Sequence, residues 1–195
     1  MPIKSERQYR SAVEFVPGSD NYIVEGYATT FNDPYVMYSY EGIDYKESID
    51  RRALDGADMT DVIMQYDHEG KVYARMSNGT LSLTPDERGL KIRADLSKSE
   101  GARALYEEIK EGLITKMSWA FTIDEEEYDR VNHERKITRI KKVYDVSAVS
   151  IPANPGTDIS ARSFFNGEIE KEKQELFAAQ ARAEKIAKIK LMLEV

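Results

Sequence analysis

The chain of 195 residues suits one ordinary domain with a real core and a small appendage. Hydrophobic residues at 41% and charged residues at 32% describe a soluble globular balance, and no apolar run approaches the roughly 20 residues of a membrane span. The absence of cysteine excludes disulfides, thiolate catalysis and cysteine-ligated zinc or iron-sulfur sites, and a formal charge of -7 argues against a large phosphate-binding surface. The run Arg135-Lys136 and Arg139 to Lys142 interleaves with Ile137, Ile140 and Val143, which predicts solvated strand positions and not a nucleic-acid patch. Residues 1–7 lead into no apolar signal segment, so cytoplasmic residence is the expectation.

Residues 8–16 and 22–30 are rich in aromatic and β-branched types and flank Pro17-Gly18-Ser19-Asp20-Asn21, which predicts two strands and a turn. Residues 31–49 hold Pro34, Gly42 and four tyrosines and read as a long loop with at most a short strand, able either to line a groove or simply to pack. Asp50 is placed to cap a short helix over 51–54 that Gly56 ends. In 61–68 the alternation puts Val62, Met64, Tyr66 and His68 on one face, so a strand finishes at His68, next to the turn residue Gly70. Residues 72–76 and 80–84 around Asn78-Gly79 predict a hairpin, and a strand over 90–94 extends it into a meander.

The box Ser97-Lys98-Ser99-Glu100 opens a helix in which Ala102, Leu105, Tyr106 and Ile109 recur at helical spacing, and Gly112 ends it. The strand that follows puts Trp119, Phe121 and Ile123 on one face and Ser118 and Ala120 on the other. A charged hairpin end over 124–134 returns the chain along 135–151, until Pro152 and Pro155 break the ladder. Beyond 168 the composition shifts to Glu, Lys, Ala, Ile and Leu, with Leu176, Ala179, Ala183, Ile186 and Leu193 on one stripe. The expected organisation is a domain over 1–163 and, over 164–195, a linker at Phe164-Phe165-Asn166-Gly167 with a helical tail.

Ser118 is the candidate nucleophile, and a serine hydroxyl needs a base to take its proton and a third group to orient that base. Only two histidines exist. His133 sits in the charged turn and reads as solvated, whereas His68 stands at a strand end where neighbouring elements converge. Its plainer reading is a strand-end histidine. Metal binding through Asp67, His68 and Glu69 is disfavoured, because adjacent strand residues point to opposite faces. With the hairpin turn centred near Val131-Asn132, paired residues have numbers summing to about 263, which puts Asp145 opposite Ser118; a bulge would shift that register. The plainer reading of Asp145 is a partner for Arg139, Lys141 or another nearby base.

Four motifs in order, Gly-Tyr-Ala-Thr-Thr-Phe at 26–31, Gln-Tyr-Asp-His-Glu-Gly at 65–70, Lys-Met-Ser-Trp-Ala-Phe at 116–121 and Asp-Val-Ser-Ala-Val-Ser-Ile-Pro-Ala-Asn-Pro at 145–155, resemble the prohead protease family of tailed phages. The resemblance spans about 8–163. It implies a serine peptidase of α+β class, related to the herpesvirus assemblins, with a mainly antiparallel β-barrel flanked by helices. It implies His68 and Ser118 as catalytic residues and an acidic residue, often glutamate, where this chain has Asp145. The oxyanion would be held by backbone amides near a turn, and no cofactor or metal is implied. The implied substrates are the scaffolding portion of the capsid protein or a separate scaffold protein, and the protease itself. That fits a tail over 168–195 that helps packaging or docks on scaffold and is released by self-cleavage near 164–167; the plainer reading is a helix that just packs on the barrel. The implied place of action is the assembling prohead in the host cytoplasm, with no nucleic-acid or membrane partner. Assemblin relatives dimerise, which leaves a homo-oligomer open. A non-enzymatic assembly or scaffold protein on the same fold is the alternative; an esterase is weaker, since no Gly-x-Ser-x-Gly elbow occurs.

Overall fold

The computed structural model describes residues 7–11, 16–17, 22–150 and 159–193. Among these, eleven strands and two helices follow in chain order: β1 (Gln8–Ser11), β2 (Val16–Pro17), β3 (Ile23–Thr30), β4 (Tyr35–Tyr40), β5 (Ile43–Ile49), β6 (Ile63–Tyr66), β7 (Glu69–Arg75), β8 (Leu81–Pro85), β9 (Gly89–Asp95), α1 (Glu100–Lys110), β10 (Lys116–Asp129), β11 (Glu134–Val149) and α2 (Ile159–Leu193). The chain divides into two compact units, 1–158 and 159–195.

The long β10–β11 hairpin is the spine of the first unit. Its turn is closed by Asp129, whose carboxylate accepts the amides of Val131 and Asn132 at 2.8 and 3.2 Å. Pairing starts at Asp129 with Glu134, and bulges along the ribbon then carry it to Ala120 with Asp145 and Ser118 with Ser147. One edge of β11 takes two partners in succession, both parallel: β5 at Glu134–Ile137 and β6 at Asp145–Ala148. Strand β1 pairs with β10 on the other side, β4 with β5 and β7 with β6, giving seven strands. A second sheet runs β2-β3-β9-β8.

The class is α+β, but the expected β-barrel is corrected: the ladder does not close. The β11 edge is taken by β5 and β6, while β3 is taken by β2 and β9, so among the described residues no strand ladder joins the two sheets into one cylinder. The core lies between them instead. Val24, Leu90 and Ile92 from the small sheet, Met64, Met117, Trp119, Phe121 and Val146 from the large one, and Leu105 and Ile109 from α1 form one buried cluster. Gly89 is required at one crossing, because a Cβ there would stand 1.9 Å from the carbonyl oxygen of Thr29.

Several local expectations change for physical reasons. Strand β1 pairs with β10 and not with its sequence neighbour at 23–30. Residues 31–49 form the β4–β5 hairpin, because Glu41 and Gly42 both adopt left-handed backbone (φ 51° and 80°) suited to a tight two-residue turn. Residues 51–56 make successive turns and no helix, with the Arg52 amide donating to Asp50 Oδ1 at 2.9 Å. Strands β7 and β8 lie in different sheets, so Asn78-Gly79 turns the chain from one to the other and the meander is broken. Ser99, not Ser97, caps α1 by accepting the Ala102 amide at 3.1 Å. Helix α2 begins at Ile159, so Phe164 to Gly167 lies inside it. The strand residues expected at 12–15, the turn at 18–21 and the proline break at 151–156 lie outside the described residues.

Candidate active site

Side chains alternate along β10, so Met117, Trp119 and Phe121 enter the core while Ser118 and Ala120 take the opposite face of the large sheet. Paired residues share a face, so Ser147 and Asp145 join them from β11, and Tyr9 joins from β1 opposite Ala120. The hairpin count placed Asp145 in the correct neighbourhood and on the correct face but two residues out of register. The extra residues bulged from β11 account for that offset. Ser118, Ala120, Ser147 and Asp145 are all buried.

His68 arrives from the other edge of β11. It does not finish a strand as expected: β6 stops at Tyr66, and Asp67 and His68 are the two central residues of a tight turn into Glu69. Both have positive φ, 48° and 60°, the pattern of a type I′ hairpin normally supplied by Asn-Gly. Left-handed non-glycine residues cost on the order of 1 kcal/mol each and persist where the surroundings over-determine them. Here the surroundings are β11 itself, since the Asp67 amide donates to the Ala148 carbonyl at 2.9 Å.

The turn brings His68 Nδ1 to 2.5 Å from Asp145 Oδ1. A carboxylate only accepts, so this contact keeps a proton on Nδ1 and leaves the Nε2 lone pair of the neutral ring available. Ser147 Oγ donates to the same Asp145 oxygen at 2.8 Å. Neither Arg139 nor Lys141 takes Asp145; Arg139 is held by Asp124 and Glu125. Tyr9 packs edge-on against the His68 ring, with centroids 4.8 Å apart. Two buried polar atoms on these residues, His68 Nε2 and Ser118 Oγ, have no hydrogen-bond partner among the described residues. Leaving such a group unsatisfied costs about 1–3 kcal/mol.

The structure thus brings His68 and Asp145 into direct contact and places Ser118 on the same face one residue pair away, without a bond from Ser118 to His68. Asp67, Ser147 and Tyr9 are the neighbours that sequence reasoning passed over. Ser147 could have been found, because any serine two positions from a strand aspartate shares its face. Tyr9 could not, since nothing local pairs β1 with β10. His133 occupies the far turn, where its ring lies 5.1 Å from that of Tyr45.

At that far end the expectation of solvated basic residues is corrected for Arg135. It is buried and donates to Glu47 at 3.2 Å and Glu126 at 2.6 Å. Arg10 grips Glu47 with two bonds of 2.5 and 2.9 Å, and the Tyr35 hydroxyl donates to it at 2.6 Å. Burial pushes the Glu47 carboxyl up, but Arg10, Arg135 and Tyr35 outweigh it and hold the group below the usual glutamate range. Burial and the adjacent Glu47 charge raise Tyr35 well above the usual phenol range.

Among the described residues no cluster of three or more His, Asp or Glu side chains is arranged to hold a metal, and no helix is long and apolar enough to cross a membrane. No curated protein and no solved structure matches the chain. A family model described as caudovirus prohead serine protease matches residues 9–172.

Proposed function

The chain belongs to the caudovirus prohead serine protease family, and on that premise we propose that it is a serine endopeptidase using Ser118, His68 and Asp145. The observation that carries the reading is the 2.5 Å contact from His68 Nδ1 to Asp145, with Nε2, like the Ser118 hydroxyl on the same sheet face, unbonded among the described residues. Ser118 Oγ attacks the scissile carbonyl carbon while its proton passes to His68 Nε2, and Asp145 offsets the charge that develops on the ring. The same proton then goes to the departing amine as the C–N bond breaks, leaving an acyl-Ser118. Water adds to the acyl carbon, gives its proton to His68, and the acid leaves with Ser118 restored. Ser147 holds the Asp145 carboxylate in place throughout.

The proposed substrates are the scaffolding portion of the capsid protein or a separate scaffold protein within the assembling prohead, and the chain itself. Self-cleavage near Phe164 to Gly167 has to unwind α2 locally. Gly167 favours this site, since glycine weakens a helix interior by about 1 kcal/mol relative to alanine. A non-enzymatic assembly role is the alternative, and the burial of Ser118 out of hydrogen-bond contact with His68 is the observation on its side.

Co-expression of the chain with the capsid protein of its own phage, read by intact mass, separates the two. Trimmed capsid protein and self-fragments with the natural chain, and only full-length species with Ser118→Ala, are expected. Identical full-length masses from both, in assembled proheads, would hand the fold to the assembly role.

A further inference from the structure

We propose that Asp67 is a positioning residue for His68: its carboxylate clamps the left-handed Asp67-His68 turn to Ser150 and thereby sets where the imidazole stands. The inference rests on His68 acting as the base, as proposed above. Asp67 Oδ1 accepts the Ser150 amide at 2.8 Å and Oδ2 accepts the Ser150 hydroxyl at 2.8 Å. Together with the hydrogen bond that the Asp67 amide donates to the Ala148 carbonyl, this ties the turn to β11 and the residue that follows it through three hydrogen bonds.

The clamp acts on the backbone of the turn, which besides it is held to β11 by a short ladder and the His68–Asp145 contact. Strand β6 pairs with β11 over only four residues, and the first four residues of β7, immediately after His68, are exposed. A short hairpin with one open side can pivot about its last ladder bond, and a pivot moves the His68 ring at its tip. Ser150 lies five residues beyond Asp145 along the chain that also carries Ser147. The clamp therefore refers the imidazole and the carboxylate it must meet to one stretch of chain, β11 and the residue after it, so that motion of that stretch moves both together. Displacements near 1 Å at such a contact cost rate on the order of 100-fold. Asparagine at 67 keeps one acceptor oxygen for the Ser150 amide. Glycine removes the clamp while making the left-handed turn easier, so it separates the clamp from turn propensity.

The test uses the full chain and a fluorophosphonate probe, which phosphonylates an activated serine: the Oγ–P bond forms, fluoride leaves, and the serine proton passes to the base. The expected order of Ser118 labelling rates is natural chain, then Asp67→Asn and Ser150→Ala slower by a few-fold, then Asp67→Gly slower by about 10- to 100-fold. In the Ser118→Ala background, the low-field proton resonance of His68 Nδ1–H should be sharp with Asp67 and broadened or lost with glycine. An Asp67→Gly chain that labels at the natural rate, or that slows while keeping the sharp resonance, overturns the proposal. A natural chain that is not labelled at Ser118 at all instead overturns the peptidase reading, and the resonance still reports on the clamp.

Discussion

The two ends of the β10–β11 ribbon both bury charge, and they do so differently. At the turn end Glu47, fully buried, is saturated by Arg10, Arg135 and the Tyr35 hydroxyl. At the other end Asp145 is equally buried and holds His68 and Ser147, but the outer atoms of the set, His68 Nε2 and Ser118 Oγ, have no partner among the described residues. A saturated network fixes geometry and offers nothing to a substrate. An incomplete one costs stability and, on the proposed peptidase reading, leaves a hydroxyl and a basic nitrogen for a reacting peptide to complete.

The sharpest way to break this contrast is to remove the unsatisfied hydroxyl. Ser118→Ala should lower capsid-protein cleavage by on the order of 10,000-fold or more, while the thermal midpoint stays level or rises, because the lost group had no bond to lose. A clear drop in the midpoint would mean that Ser118 is structural. Asp145→Asn comes next: the amide can present its N–H to His68 Nδ1 and favour the wrong tautomer, so cleavage should fall by about 1,000- to 10,000-fold. An unchanged cleavage rate would remove Asp145 from the mechanism.

The saturated end should answer in stability. Glu47→Ala takes away the buried carboxylate that Arg10 and Arg135 share, though Arg135 keeps Glu126, and should cost about 3–5 kcal/mol in denaturant unfolding. Because the folded Glu47 carboxyl sits below its ordinary range, its contribution is fully present above about pH 4.3 and is lost as pH falls through the lowered folded value. The stability gap between the natural chain and Glu47→Gln should therefore be constant near neutrality and narrow below about pH 4. A gap that widens on acidification would reverse the assignment. The smallest expected effect is that of Ser147→Ala, which removes one of the two bonds to Asp145 and should slow turnover by about 10-fold with KM little changed. A change in KM alone would make Ser147 a substrate contact.

Much of this was legible in the sequence where the signal is local. Helix α1 and its glycine stop follow from spacing and caps, and the hairpin centred near Val131-Asn132 follows from alternation on both sides of a charged turn. The motif order around His68, Ser118 and Asp145 was equally visible. Elements that depend on distant partners were not. Glu41-Gly42 makes a hairpin of a stretch whose tyrosines suggested a loop, and the register from Ser118 to Asp145 drifted by two because bulges leave no mark in composition.

By itself the sequence determined which residue types could do acyl-transfer chemistry, excluded thiol chemistry and cysteine-ligated metals, and set the alternation that puts Ser118 and Asp145 away from the core. Only the tertiary structure decided that the two sheets form separate ladders, that β1 lies beside the strand carrying Ser118, and that His68 reaches Asp145 from a left-handed turn. The physical reason is that side-chain period is a property of a strand, whereas the edge a strand pairs with is settled by competition among all the strands for hydrogen bonds and buried area.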